Sequence, residues 1–587
     1  MTPKRVRVIP DLPAVAREFD YLVPEAWHRD GRSSRLAIGS MVRIPLHGRK
    51  VAGWVSAIDP ETPTDIKLSP LAKLSGMGPE QSVIDLARWA SWRWAGPVSS
   101  FLGTASPPKM VPELSAPRTS LLRVDDRFDR LFRPPPSADP LLPALSVLRW
   151  PPAADLSALV AAAVRNGPSI IVVPRLAMAR SLAVGVRKDG GALVLHSRDW
   201  AIAAGGTSTI GTRSAIWARV RGLKSILILD EHAESHQEER SPSWHARDVG
   251  LERARQLGIP CVLVSPLPTV EAVRYAHRAG GKVRAVSRQE ELEGWASAEV
   301  VDRRNVDITE RGLFGHKAVD FIRESGRKLV IVNRTGRSKM LVCRTCESIA
   351  ECERCSAVVG QPDDDRLVCQ ACQLERPVVC ANCGSGAFKN LRLGVTRAAE
   401  ELQALIREPI AEVTAKEWVG PPDARVVIGT EAVLHQVTEA AGVAFLDMDQ
   451  ELLAPRFRAR EQALAKLALA SRIVQGRQGR VLIQTRSPDN VVLQAAVGGE
   501  PMRVTDEDQI TREMLQLPPY GGLARITGAA AGEYAAALAQ RLGVTVVAVD
   551  DNDHLVRASN VTELADALAA TPRPKGRLRV VVDPTDV

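Results

Sequence analysis

SILILDE at Ser225–Glu231 frames the reading of this chain. Its apolar stretch shows no polar alternation, the mark of a strand buried on both faces. It ends on two carboxylates, Asp230 and Glu231. Similar runs recur on either side: SIIVVP from Ser169, GALVLH from Gly191 and CVLVSP from Cys261. Farther on come KLVIVNR from Lys328, VVIGT from Val426, VAFLDMD from Val443 and GRVLIQT from Gly479. Helical patterns separate them, so the fold class is α/β with parallel sheets, and the strands suffice for two lobes. A strand ending in Asp-Glu is common and often only solvated, so the acidic pair alone decides nothing about chemistry.

The second signal is cysteine. Eight of the nine cysteines form four Cys-x₂-Cys pairs: Cys343/Cys346, Cys352/Cys355, Cys369/Cys372 and Cys380/Cys383; only Cys261 lies elsewhere. A two-residue gap lets one turn aim both sulfurs at one ion, so the cluster predicts two Cys₄ zinc sites. Five residues separate the first pair from the second, and thirteen separate Cys355 from Cys369. These gaps favour a nested division, with Cys352, Cys355, Cys369 and Cys372 on an inner ion and Cys343, Cys346, Cys380 and Cys383 on an outer one. The sequential division stays open. Closed Cys₄ sites stabilise a fold rather than catalyse. A disulfide framework is disfavoured, because the cysteines sit in one insert of a large chain without export features.

The chain has 587 residues, 45% of them hydrophobic, and Lys plus Arg exceed Asp plus Glu by nine. That length suggests roughly four domains, and the charge favours a polyanionic partner such as nucleic acid. MTPKRVRVIPDLP has no apolar core for a signal peptide, and no uncharged run approaches a membrane span, so a cytoplasmic protein without membrane contact is expected. RVRVIPDL, MVRIPL and KVAGWVSAI read as a small β-rich module, followed by a helix whose Trp89, Trp92 and Trp94 are expected in the core. Proline crowds the stretch from Pro107 to Pro143, which reads as a linker or reduced domain. The last eighty or so residues combine helix and strand as a small α+β domain.

Taken together, FDYLVPE (Phe19–Glu25), GTRSA (Gly211–Ala215), DEH with WHARD (Trp244–Asp248) and NRTG (Asn333–Gly336) make one pattern with the eight cysteines. DMDQELLAPRFRARE (Asp447–Glu461), LPPY (Leu517–Tyr520) and the terminal VVVDP extend it. The pattern resembles the PriA family of replication restart proteins (primosomal protein N′), from about residue 5 to the C-terminus. The resemblance implies two RecA-like helicase lobes, at 146–300 and 301–500, with the two-zinc insert at 340–390. It also implies an N-terminal domain at 1–105 that binds 3′ DNA ends, a linker or reduced winged helix at 106–145, and a C-terminal domain at 501–587. The implied role is recognition of stalled forks and D-loops and reloading of the replicative helicase, in the cytoplasm at the nucleoid. The implied partners are DNA, single-strand-binding protein and the helicase with its loading proteins. Family positions for the 3′ end fall on Phe19, Asp20, Tyr21, Gly39 and Arg43, and the family's zinc pairing is the nested one.

Departures from the family concern ATP. No Gly-x₄-Gly-Lys-Ser/Thr loop occurs; the expected place reads LRWPPAADLSALVAAAVRNG, with two prolines and no lysine. The acidic box is Asp230-Glu231-His232, one acid short; the Ser-Ala-Thr segment has become Ser265-Pro266-Leu267, and Gly-Thr-Gln has become Gly429-Thr430-Glu431. The paired-arginine box is reduced to SRIVQGRQGR, with at most Arg472 retained. An arginine finger is worth roughly a thousandfold or more in phosphoryl transfer. Zinc therefore remains an expected cofactor, ATP and Mg²⁺ lose their ligands, and no catalytic or nucleotide-binding residue is assigned. Three readings follow: a DNA-structure platform without ATPase, an active 3′-to-5′ helicase, and a generic zinc-ribbon nucleic-acid adaptor.

Overall fold

The computed structural model describes residues 4–15, 17–61, 67–122, 126–304, 306, 312–332, 341–355, 357–361, 365–369, 372–390, 395–414 and 417–585. The NRTG segment lies outside the described residues.

The chain opens with an antiparallel sheet in the order Phe19–Leu22, Arg5–Pro10, Arg49–Ile58, Met41–Leu46, Lys73–Gly76. Val6, Val8, Tyr21, Val42, Ile44 and Val55 meet Trp27 and Leu36 in a small core of their own. The helices Gln81–Arg93 and Val98–Ala105 belong elsewhere. Their Val83, Ile84, Leu86, Trp94, Phe101 and Leu102 join a core shared with Trp217, Trp244 and Tyr534, from the first lobe and the C-terminal domain. Of the tryptophan stripe, Trp94 is fully buried and meets Trp89 edge-on at 5.2 Å. Trp92 instead donates Nε1–H to Asp566 at 2.8 Å. Among the described residues from 107 to 144 the only helical element is a 3₁₀ turn, Asp126–Phe132, whose Phe128 packs on Trp150.

The first lobe is a parallel seven-stranded sheet ordered Arg284–Ala285, Leu145–Arg149, Cys261–Ser265, Ser225–Leu229, Ser169–Val172, Ser208–Gly211, Leu193–Leu195. Ser225–Leu229 is central and buried at every position, which is why its sequence does not alternate. The second lobe is ordered Ser297–Asp302, Arg480–Thr485, Gly442–Phe445, Lys328–Ile331, Val426–Gly429, Ile410–Val413, Trp418–Val419, with only the last strand antiparallel. Besides the two-residue Trp418–Val419, two strands of this sheet escape sequence reading. Ser297–Asp302 pairs with Arg480–Thr485, so the second sheet starts ahead of residue 301. Ile410–Val413 lies between the cysteine insert and Val426–Gly429. Each carries a glutamate in mid-strand, Glu299 or Glu412, which interrupts the apolar run.

The insert forms two small sheets and docks on the second lobe through Ile349 and Val358. The C-terminal domain runs strand–helix–strand–strand–helix–strand, with sheet order Val544–Asp550, Asp553–Ala558, Gly522–Thr527, Arg579–Val582. Its helices, Ala531–Ala539 and Val561–Ala570, bury Tyr534, Leu538, Leu564 and Leu568 into the shared core. Arg93 and Asp583 close a buried ion pair between the N-terminal helix and this domain. Among the described residues no helix is long and apolar enough to cross a membrane.

Candidate functional site

Three places merit a site-level description: the FDYL edge strand, the cysteine insert and the cleft between the lobes. Phe19, Asp20 and Tyr21 lie on the edge strand Phe19–Leu22, opposite Val8, Arg7 and Val6 in register. Phe19 is half-buried, with the Arg17 guanidinium 4.8 Å from its ring centre. Asp20 accepts from Arg7 Nε at 2.8 Å and Nη2 at 3.0 Å. Tyr21 is a core residue: its ring is buried and its hydroxyl donates to the Pro45 carbonyl at 3.1 Å. Of the two rings in FDYL, Tyr21 is the one packed inside and Phe19 the one partly open to solvent. Gly39 has φ +86°, and a Cβ there would fall 1.6 Å from the Pro79 carbonyl oxygen. Arg43 is exposed on Met41–Leu46. That strand also meets the FDYL strand round the far side of the sheet, where Leu71 N–H donates to the Leu22 carbonyl and Ala72 N–H to the Arg43 carbonyl. Arg7 was not legible as a site residue; only the cross-strand register reveals it.

The cysteines gather as two separate tetrads. Cys343, Cys346, Cys380 and Cys383 form one, and Cys352, Cys355, Cys369 and Cys372 the other; within each, the sulfurs lie within 4.8 Å of one another. This is the nested division. Sulfur pairs stand 3.5–3.6 Å apart, with no disulfide. Tetrahedral Zn–S bonds place sulfurs ~3.8 Å apart, so spacing and thiol donors suit a metal ion. The amides of Thr345 and Arg354 donate to Cys343 and Cys352 at 3.4 Å, as a ligand turn requires.

In the cleft, the strand–loop–helix frame of a phosphate loop persists, but three of its amides are engaged with protein carbonyls. The loop follows Leu145–Arg149 and enters helix Ser157–Arg165. Trp150 N–H donates to the Ser265 carbonyl, Ala153 N–H to Gly294 and Ala154 N–H to Pro151, while Pro151 and Pro152 have none to offer. Asp155 accepts from Ser157 N–H at 2.9 Å. A carboxylate thus sits at the helix N-terminus, where a phosphate would otherwise bind. Arg472 of the second lobe reaches into the same space. Its Nη1 and Nη2 donate to Asp230 Oδ2 and Oδ1 at 2.6 and 2.7 Å, and its Nε to the Pro152 carbonyl at 2.7 Å. Burial opposes ionisation of Asp230, but the Arg472 charge and hydrogen bonds bring its pKa down to about 2.

Glu231 is equally engaged. It accepts from Arg247 Nη1 at 3.2 Å, Thr269 N–H at 2.8 Å and Thr269 Oγ1 at 3.1 Å. Burial pushes its pKa up to about 7 against the pull of these donors. His232 faces Ser265 Oγ at 2.9 Å, so the acidic box still touches the altered coupling segment. Deeper in the lobe junction, Glu271 accepts from Arg458 and, at 3.3–3.4 Å, from Arg512. Arg512 Nη2 also donates to Glu461 at 2.5 Å. The remaining cavity, about 720 Å³, is lined by Arg175, Asp230, His232, His435, Lys466 and Arg472 among others. Sequence reading retained Arg472 but gave no sign of its partner, 242 positions away.

The model of the PriA 3′DNA-binding domain (3′BD) family matches residues 7–107. The chain is 28% identical over 351 residues to the replication restart protein PriA of Bacillus subtilis, covering 54% of this chain and 43% of that protein. It thus spans less than half the length of that relative, and 47% of the Thermotoga maritima protein of the same name. A Mycobacterium tuberculosis protein named "Probable replication restart protein PriA" is 27% identical over 573 residues, 88% of this chain and 86% of that one. Among solved structures, the DUF1998 helicase MrfA bound to DNA matches with TM-score 0.33 and 10% identity, over 75% of this chain and 63% of that one, too slight a likeness to argue from. The chain thus carries a match to a 3′DNA-binding domain and, along most of its length, is similar to a protein named as a probable replication restart protein PriA.

Proposed function

We propose that this protein is a replication restart platform that grips branched DNA through its N-terminal domain and turns over no ATP. The match of residues 7–107 to a 3′DNA-binding domain carries the reading. Phe19, Asp20, Gly39 and Arg43 are the residues proposed to meet a 3′ end, Phe19 by stacking and Asp20 by accepting the terminal hydroxyl. Arg7 orients the Asp20 carboxylate through its two hydrogen bonds. Two Zn²⁺ ions, one per cysteine tetrad, would supply rigidity to the insert. The engaged amides of Trp150, Ala153 and Ala154, the Asp155 carboxylate and the Arg472–Asp230 bridge support the loss of nucleotide binding, because protein groups and a negative charge stand where a phosphate loop would offer donors. The proposed DNA substrates are stalled forks and D-loops, and the proposed partners are single-strand-binding protein and the replicative helicase with its loaders.

The test pairs two measurements on zinc-loaded protein. Forked DNA with a free leading-strand 3′ hydroxyl should bind more tightly than the same fork ending in a 3′ phosphate, and Asp20→Asn should erase the difference. Phosphate contacts should make both affinities fall steeply with salt. ATP hydrolysis with forked DNA should stay at background. Equal affinity for the two ends, or DNA-stimulated hydrolysis, would overturn the reading.

A further inference from the structure

In a cycling motor of two such lobes, nucleotide supplies the contact that closes the cleft, and an arginine of one lobe meets the phosphate held by the other. Here the same two surfaces meet without an intermediary. Arg472 stands in the last turn of helix Ala459–Ile473, and Asp230 stands directly after the central strand of the first lobe. The guanidinium fork and the carboxylate pair face to face, the strongest geometry an ion pair offers. Arg472 also holds the Pro152 carbonyl, so one side chain pins both the acidic box and the altered loop. Around it the lobes touch again: Glu271 receives Arg458 and Arg512, and Thr505 Oγ1 donates to the Pro268 carbonyl at 3.0 Å. A would-be Cβ atom on Gly476 of the second lobe falls 2.2 Å from the Glu293 carbonyl oxygen and 3.2 Å from Ala153 Cβ. The backbones at this seam are therefore packed to contact.

We propose that the Arg472–Asp230 bridge takes the place of nucleotide and holds the two lobes permanently closed, so that the scaffold is fixed where a motor would cycle. This rests on the reading of a protein without ATP turnover and says what becomes of its cleft. Titration does not release the bridge near neutrality, since both partners keep their charges there.

Inter-lobe distance in the full, zinc-loaded chain tests it. Donor and acceptor dyes enter through unnatural amino acids at the exposed positions Lys188 and Gln403, because cysteine labelling would compete with the tetrads. The parent should give one short-distance population, unmoved by ATP, ADP or a non-hydrolysable analogue with Mg²⁺. Arg472→Gln should raise the long-distance population at least ~10-fold, a change of ~1.4 kcal/mol in closure. Asp230→Asn should do the same from the other side, and it serves as the second variant should Arg472→Gln lose its fold. Arg472→Lys, which keeps the charge but not the fork, should fall between. A parent distribution that shifts with nucleotide would overturn the proposal, as would unchanged distributions in both bridge variants. Hydrolysis read in the same samples separates the two failures: turnover sinks the proposed function and the clamp that rests on it, whereas background hydrolysis with bridge variants that stay closed sinks the clamp alone.

Discussion

Replacing Glu271 with glutamine tests how much the lobe junction relies on buried charge. Glu271 is only 3% exposed and receives Arg458 and Arg512, with Arg247 close enough to act through its charge. Burial disfavours its charged form, yet these arginines hold its pKa well below the usual carboxylate range. Glutamine keeps the shape, removes the charge and turns an N–H₂ group toward guanidinium donors. Deleting one partner of a buried pair costs about 3–5 kcal/mol. Arg512 and Arg458 retain Glu461, at 2.5 and 3.7 Å, so the expected loss is at the lower end, about 2–4 kcal/mol. The assay is urea unfolding of parent and Glu271→Gln, followed by tryptophan fluorescence at pH 7 and at lower pH. Because the native pKa is depressed, the stabilisation is complete above the unfolded value, about 4.3, and is lost as pH falls toward the native one. The gap between the two proteins should therefore be constant from pH 7 to about 5.5 and close by up to ~1.4 kcal/mol per unit below about 4.3. A gap under about 0.5 kcal/mol at pH 7, or one that persists undiminished in acid, would refute the charge argument.

Two further outcomes are expected. Cys369→Ser and Cys343→Ser should each lower bound zinc from two ions per chain to one by elemental analysis, and the double variant to none; joint loss of both ions from a single variant would mean the tetrads are not independent. Gly39→Ala should destabilise the N-terminal sheet by about 3 kcal/mol, summing the left-handed backbone cost and the clash with Pro79; thermal unfolding showing a loss below about 1 kcal/mol would mean that the Pro79 loop gives way freely.

The lobes were legible because buried parallel strands leave unbroken apolar runs, and each of the eight quoted runs contributes a strand to one of the two sheets. Strands that accept a glutamate at an edge or next to one, such as Ser297–Asp302 and Ile410–Val413, lose that signature and were missed. Spacing favoured the nested cysteine tetrads, since loop length limits which pairs can meet, but left the sequential division open until the folded insert brought the sulfurs together. Asp20 with Arg7 and Asp230 with Arg472 were not readable, because each pairing is fixed by register or by lobe docking and leaves no local periodicity. The burial of Tyr21 was hidden for a related reason. Alternation places every second residue of FDYL inward, but a four-residue strand does not say which set. The N-terminal helices show the limit of reading modules from sequence, for their apolar faces belong to the core shared with the first lobe and the C-terminal domain.

The acidic box shows why a surviving motif residue is weak evidence for activity. A carboxylate buried at the end of a central strand cannot stay ionised without a counter-charge. In an ATPase, Mg²⁺ and the phosphate-loop lysine belong to that balance. Remove the lysine and block the phosphate site, and Asp230 and Glu231 must find cations in the protein or lose their charge. Here each has one: Arg472 for Asp230 and Arg247 for Glu231, both within hydrogen-bond reach. The same two side chains that would mark a working site therefore serve as structural ligands. Arg472 makes the point from the other lobe, since its guanidinium is spent on protein and is no longer free to meet a transferring phosphoryl group. Retention of these residues follows from the electrostatics of burial alone, and nucleotide chemistry need not be invoked to explain it.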